Sequence, residues 1–178
     1  MRLREITREV YVADEPIVNI AREEIEFLKS KVIGAPRGRV RLCAHRDSGD
    51  SVHEMIIVLT QTSYVRPHKH FGKSESFHII EGAANVIVFD DDGNIIEVIP
   101  LGDFLSGKRF YYRLADPKFH TLIIRSDALV IHETTSGPFK KGDALFAPWA
   151  PDEDDPTAGR QFMQNLSRSA DEFLSGKC

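Results

Sequence analysis

The chain has 178 residues and is poor in cysteine, with only Cys43 and Cys178. Two thiols, one of them the last residue, exclude a disulfide-stapled scaffold and point to a reducing, cytoplasmic setting. Long apolar runs are also missing. The longest are strand-sized, such as Met55 to Leu59, against the ~18–20 apolar residues that span a bilayer, so no membrane partner is expected. Positive charge is not in excess: 23 Lys and Arg stand against 27 Asp and Glu, a formal charge of −4. A nucleic-acid footprint needs clustered positive charge, so no nucleic-acid partner is expected. The first eight residues alternate charged with single apolar residues and do not read as a signal peptide. There is no internal repeat and no low-complexity tract.

The remainder has the balance of an ordinary globular domain, 42% hydrophobic and 28% charged. Arg8–Ala13 reads as a short strand. Residues Asn19–Val32 read as a helix, with Asn19 as N-cap, Glu23 and Glu24 early, Lys29 and Lys31 late, and Gly34 with Pro36 as the stop. After Pro36 the texture changes to short β-type runs near 38–45, 52–62, 64–70, 76–80, 84–90, 95–101, 110–114, 120–125 and 129–135. Asp91-Asp92-Gly93-Asn94 between two alternating runs is a hairpin signal, because Gly93 takes positive φ at little cost. Many short strands without intervening helices indicate an antiparallel sandwich or barrel. The expected organisation is an N-terminal strand and helix (1–36), a barrel (37–156), and a tail (157–178) in which Gln161–Leu174 is a short helix or a frayed end.

Five of the seven histidines lie between His68 and His132. In Pro67-His68-Lys69-His70-Phe71-Gly72-Lys73-Ser74-Glu75 the two histidines at i and i+2 project from one face of a strand. Four residues then turn the chain, and Glu75 opens the returning strand. Such a hairpin delivers two imidazoles and a carboxylate to one place, a donor set suited to Fe, Mn, Zn, Ni or Cu.

His68-x-His70, four residues, Glu75, six residues, Gly82 resembles the latter part of the first cupin motif, with Thr62 where that motif usually carries its leading glycine. The second cupin motif ends in histidine, and the run Arg113 to Leu122 fits its place, with Ala115 and Pro117 replacing its usual Pro and Gly. That resemblance makes His120 the candidate fourth ligand, with His132 in reserve. Tyr64-Val-Arg-Pro-His-Lys-His70, Phe89-Asp-Asp-Asp-Gly-Asn94, Gly137-Pro138-Phe139 and Phe146-Ala-Pro-Trp-Ala-Pro-Asp-Glu153 resemble the family of WbuC-type cupin-fold metalloproteins, from about Arg37 to Glu153. The resemblance implies a mostly β, cupin-type double-stranded β-helix (a jelly-roll barrel) with a short N-terminal α-helix and one divalent metal, often coded beside surface-polysaccharide genes.

Other residues are weighed against that frame. Arg39, Arg41, Cys43 and His45 alternate with apolar residues, and either line the barrel mouth or face solvent. Arg66 shares the phase of His68 and His70 if the pleat stays regular through Pro67. Glu133, in phase with Leu129 and Ile131, is a candidate general base, and His45 is a second acid–base candidate. Cys43 reads as a small buried residue and Trp149 as a buttress or lid. The expected function is metal-assisted chemistry on a small polar or anionic molecule such as a sugar derivative, either isomerisation or epimerisation or, with iron, oxygenation. Arg39, Arg41 and Arg66 are the expected anion-binding groups. The alternative is a non-catalytic metal-dependent binding or sensing module. A homodimer is expected, because barrel edge strands need covering.

Overall fold

The structure, a computed structural model, describes residues 1–140 and 142–176; Cys178 lies outside the described residues. In chain order the elements are β1 (Leu3–Thr7), β2 (Val10–Ala13), α1 (Arg22–Val32), β3 (Arg39–Cys43), β4 (Val52–Thr60), β5 (His68–His70) and β6 (Glu75–Glu81). They continue with β7 (Ala83–Phe89), β8 (Ile95–Gly102), β9 (Tyr111–Leu114), β10 (Phe119–Ile124), β11 (Ala128–Ser136), β12 (Ala144–Phe146) and α2 (Pro156–Leu174). A seven-stranded sheet has the order β1-β2-β3-β4-β11-β6-β9, and a five-stranded sheet the order β12-β5-β10-β7-β8. From β4 onward the chain alternates between the sheets, except at the β7–β8 hairpin. Distant segments such as β4 and β11 therefore become ladder partners. This is the cupin-type jelly roll that the sequence implies.

Each sheet is covered outside by a helix, which explains strands that read as continuous hydrophobic runs. On β4, Ile56 and Val58 face outward and pack with Leu28 and Val32 of α1, while Leu59 on the opposite face joins the core between the sheets. Helix α2 lays Leu166 and Ala170 against Ile87, Phe89 and Ile123 of the five-stranded sheet. Among the described residues, no helix is long and apolar enough to cross a membrane.

Helix α1 begins two residues later than the sequence predicts. Ala21, not Asn19, is the N-cap, and its N–H donates to the Glu24 carboxylate at 2.8 Å, half of a capping box. Helix α2 is longer than expected because Pro156 opens it instead of ending the loop. Asp155 caps it by accepting from the N–H groups of Thr157 and Ala158. Gly159 inside this helix is a close-approach residue, since a Cβ there would sit 2.8 Å from the Tyr64 ring.

Two strands escape the sequence reading. Strand β1 pairs with β2, and its alternation of charged and apolar residues is a strand pattern at a sheet edge. Strand β12 is only three residues long and pairs with β5. The expected β7–β8 hairpin is present, with Gly93 at φ +91. Trp149 lies beneath that glycine and donates to the carbonyl of Asp91 at 3.2 Å, so it buttresses the hairpin.

Candidate metal centre

Strand β5 is short and sits between β10 and β12, with His68 opposite His120 on one side and Phe146 on the other. Its pleat sends His68 and His70 into the space between the sheets. Lys69, opposite in phase, pairs with Asp91 at 2.6 Å and lies 4.4 Å over the Phe119 ring. Glu75 comes from the facing sheet, at the start of β6. One potential ligand atom from each of His68, His70, Glu75 and His120 lies within 4.8 Å of all the others. His132 is elsewhere: it is paired in register with His78 on β6, and its Nε2 is 3.8 Å from Glu54. The structure therefore brings His120, and not His132, to the cluster.

The ring orientations are set by backbone carbonyls. His68 Nδ1 donates to the carbonyl of Arg66 at 2.9 Å, and His120 Nδ1 to that of Lys118 at 3.0 Å. A carbonyl only accepts, so both Nδ1 atoms carry hydrogen and the neutral rings turn bare Nε2 atoms inward, as metal-ligating imidazoles do. His70 Nε2 is 3.4 Å and His120 Nε2 only 2.6 Å from Glu75 oxygens. Yet buried His120 Nε2 and Glu75 Oε1 lack a hydrogen-bond partner of proper geometry. Two acceptors this close need a proton or a cation between them.

The electrostatics agree. Burial, then the neighbouring His120, pushes His68 down to about 4. Burial by itself would raise the Glu75 carboxyl, but His120, with help from His70 and His68, holds it below the usual carboxylate range. Burial likewise opposes protonation of His120, and Glu75 overcomes it and raises that ring. Three imidazoles and one carboxylate of this kind fit a divalent ion such as Fe, Mn, Zn or Ni.

The cluster opens into a cavity of about 790 Å³. Its floor is the inner face of the seven-stranded sheet, where in-phase residues form rows. Thr135 is opposite Glu75, and one step along Glu133 is opposite Phe77 and Met55. Glu133 thus faces the cavity as a diagonal neighbour of Glu75. The Glu133 side chain is half-buried and open to the cavity. Burial, then the negative charge of Glu75, pushes its carboxyl up to about 8, against the pull of Arg41 and Arg39.

Arg39, Arg41, Cys43 and His45 also line the cavity. Arg39 is already engaged, donating to Glu153 at 2.8 Å. Arg66 is not on the cavity wall. It pairs with Asp152 at 2.7 Å and lies 5.3 Å over the Phe146 ring. The ladder of β5 starts only at His68, after Pro67, so the pleat that would align Arg66 with the histidines is broken there. Cys43 is a buried free thiol, pushed up by burial, and is three strands away from Glu75. Burial lowers His45, whose ring stacks on His53 with centroids 4.2 Å apart.

His53 is a cavity residue that the sequence reading missed. It is 6% exposed, and its Nε2 has no partner. Stepping by twos along β4 from Met55, Ile57 and Leu59 was the available signal.

A model for a domain of unknown function, DUF6016, matches residues 20–101. No curated protein matches the chain. Protein SO0799 from Shewanella oneidensis superposes with a TM-score of 0.53 at 14% identity, over 72% of this chain and 85% of that one. At that identity the likeness shows a shared fold. The cupin-2 domain protein Rru_A2000 from Rhodospirillum rubrum gives a TM-score of 0.49 at 15% identity, over 80% of this chain and 82% of that one. The Schizosaccharomyces pombe Cnp3 cupin domain gives 0.43 at 12%, over 55% and 64%.

Proposed function

We propose that the protein is a metal-dependent enzyme that works on a small anionic molecule. His68, His70, Glu75 and His120 hold one divalent ion, Fe, Mn, Zn or Ni, and Glu133 transfers protons. The reading rests on one observation: Glu133, a carboxyl able to hold a proton near neutral pH, shares a cavity with that donor cluster. A bound ion would polarise a substrate oxygen or, if iron, support oxygenation. Glu133 would give or take the proton at the neighbouring carbon or oxygen, as general acid–base catalysis requires. The Nδ1 bonds to the Arg66 and Lys118 carbonyls would keep the rings from turning.

The motif likeness supports kinship with WbuC-type cupins, a homodimer whose free sheet edges are β1 and β9 is part of the same proposal, and the free Cys43 thiol suits a cytoplasmic setting.

The test is solvent-deuterium exchange into a C–H next to the carboxyl or carbonyl of candidate acids, followed by NMR on metal-loaded protein. Exchange is expected in wild type and should be lost in Glu133→Gln with metal content unchanged. Ligand binding without exchange or turnover would replace the enzyme by the non-catalytic binding module.

A further inference from the structure

Arg4, Arg41 and Arg46 line the cavity without a carboxylate partner among the described residues, and of these Arg41 is the one on β3, in the ladder next to the floor strand β4. Arg37, Arg39 and Arg66 each meet a carboxylate, on Glu9, Glu153 and Asp152 respectively. Arg41 lines the same cavity, is exposed, and has no carboxylate partner among the described residues. A guanidinium on a cavity wall with no carboxylate at salt-bridge distance is a ready anion anchor.

Register places this anchor far from the metal cluster. Arg41 is opposite Ile57, Ile57 opposite Ile131, and Ile131 opposite Ile79, while Glu75 begins the same strand as Ile79. The offset from Arg41 to Glu75 is therefore three strands across and four residues along, or about 14 Å by about 13 Å from strand geometry. The reach of the two side chains leaves a gap on the order of 10 Å. A small acid with neighbouring oxygens cannot touch both ends.

The wall between them is apolar apart from Glu133, which stands opposite Met55 towards the cluster end. Met55, Ile57 and Ile131 form the floor, and Val65 and Leu122 stand among the other lining residues. Hydroxyl groups of a sugar laid over Ile57 and Ile131 would lose water without finding partners there.

We infer that the cavity takes an elongated amphiphilic acid: a carboxylate on Arg41, an apolar body over Met55 and Ile57, and an oxygen function at the far end beside the His/Glu cluster and Glu133. This deepens the proposed function and rests on it for the far end only. The apolar body is about six to eight carbons long, set by the ~10 Å gap. No covalent step is part of the inference.

Straight-chain dicarboxylates from butanedioate to decanedioate test it, titrated calorimetrically into zinc-loaded protein. Affinity should rise about fourfold per methylene, the value of one buried CH₂, to an optimum between octanedioate and decanedioate. Arg41→Gln, at an exposed position, should weaken octanedioate about ten- to a hundredfold and leave butanedioate unchanged. Equal binding of butanedioate and octanedioate, or full octanedioate affinity in Arg41→Gln, overturns the inference. Octanoate titrated into chelator-treated protein separates the two readings. It should bind with the same Arg41 dependence, and failure to bind overturns the inference. If the protein takes up no zinc, the metal reading fails and the octanoate result alone decides this one.

Discussion

His120 Nε2 stands 2.6 Å from Glu75 Oε1, and the two side chains come from opposite sheets of the barrel. The contact joins the sheets at one point through two buried atoms that lack proper hydrogen-bond partners. A bare imidazole nitrogen and a carboxylate oxygen repel at this distance. A shared proton or a cation turns that repulsion into attraction, so the pair is bistable between a protonated and a metal-bound form.

The first expected outcome concerns ligation. His68→Ala and His120→Ala each remove an inward donor and should cut retained metal at least about tenfold after dialysis, since even losses around a ligand cost that much. His132→Ala should leave metal content unchanged, because His132 faces Glu54 away from the cluster. Elemental analysis of the three purified variants is the check. Loss of metal in His132→Ala with retention in His120→Ala would move the fourth ligand.

Proton release is a second outcome. Glu75 raises His120 towards its protonated form, whereas His68 is held at about 4 and already neutral. Metal binding therefore displaces the proton wherever His120 carries one, its positive charge draws a further proton from Glu133, and none comes from His68. Calorimetry in buffers of different ionisation enthalpy counts the protons released. Zero protons at pH 7 would show that neither His120 nor Glu133 carries a proton that the ion displaces, and Glu133→Gln separates the two contributions.

How much of this was legible in the sequence depends on whether the cause was local. The His68-x-His70 pair and Glu75 are fixed by one short hairpin, so strand period and turn length sufficed. Gly93 likewise marks its own turn. His53 was hidden because β4 is buried on both faces, one under α1 and one toward the cavity, which erases the polar–apolar alternation that reveals a phase. Arg66 was misplaced because Pro67 interrupts the pleat one residue before the ladder begins. The distance between Arg41 and the cluster follows from pairing β3 with β4 and β4 with β11, partners far apart in the chain that no local pattern specifies.

Packing supplies a third outcome. Leu28 is fully buried between α1 and the outer face of the seven-stranded sheet. Leu28→Ala should destabilise the protein by about 2–5 kcal/mol, the transfer and cavity cost of a buried leucine. The change is on the side of the sheet away from the cavity, so metal content should be unaffected. Urea unfolding with parallel metal analysis checks both halves. A loss under about 1 kcal/mol would mean that α1 does not stabilise the fold through this residue.

The last outcome is the pH dependence carried by Glu133. Burial and then Glu75 push this carboxyl from an ordinary 4.5 up to about 8. In the unfolded chain it ionises near 4.5, so between 4.5 and about 8 the folded state holds a proton that the unfolded state has lost. Stability falls with rising pH wherever the folded state binds more protons. The Glu133 contribution is therefore neutral near pH 4 and grows more unfavourable up to about pH 8. Glu133→Gln removes the ionisable group while keeping its shape. In chelator-treated protein, the variant and wild type should be equally stable near pH 4, and the variant more stable by on the order of 2–4 kcal/mol near pH 8. Chelation matters, because a bound cation would favour the ionised carboxylate and shrink the difference. Denaturant midpoints taken across this range decide the matter: parallel curves for the two proteins would show that Glu133 titrates normally, and its assignment as the proton-holding group beside the cluster would fall with it.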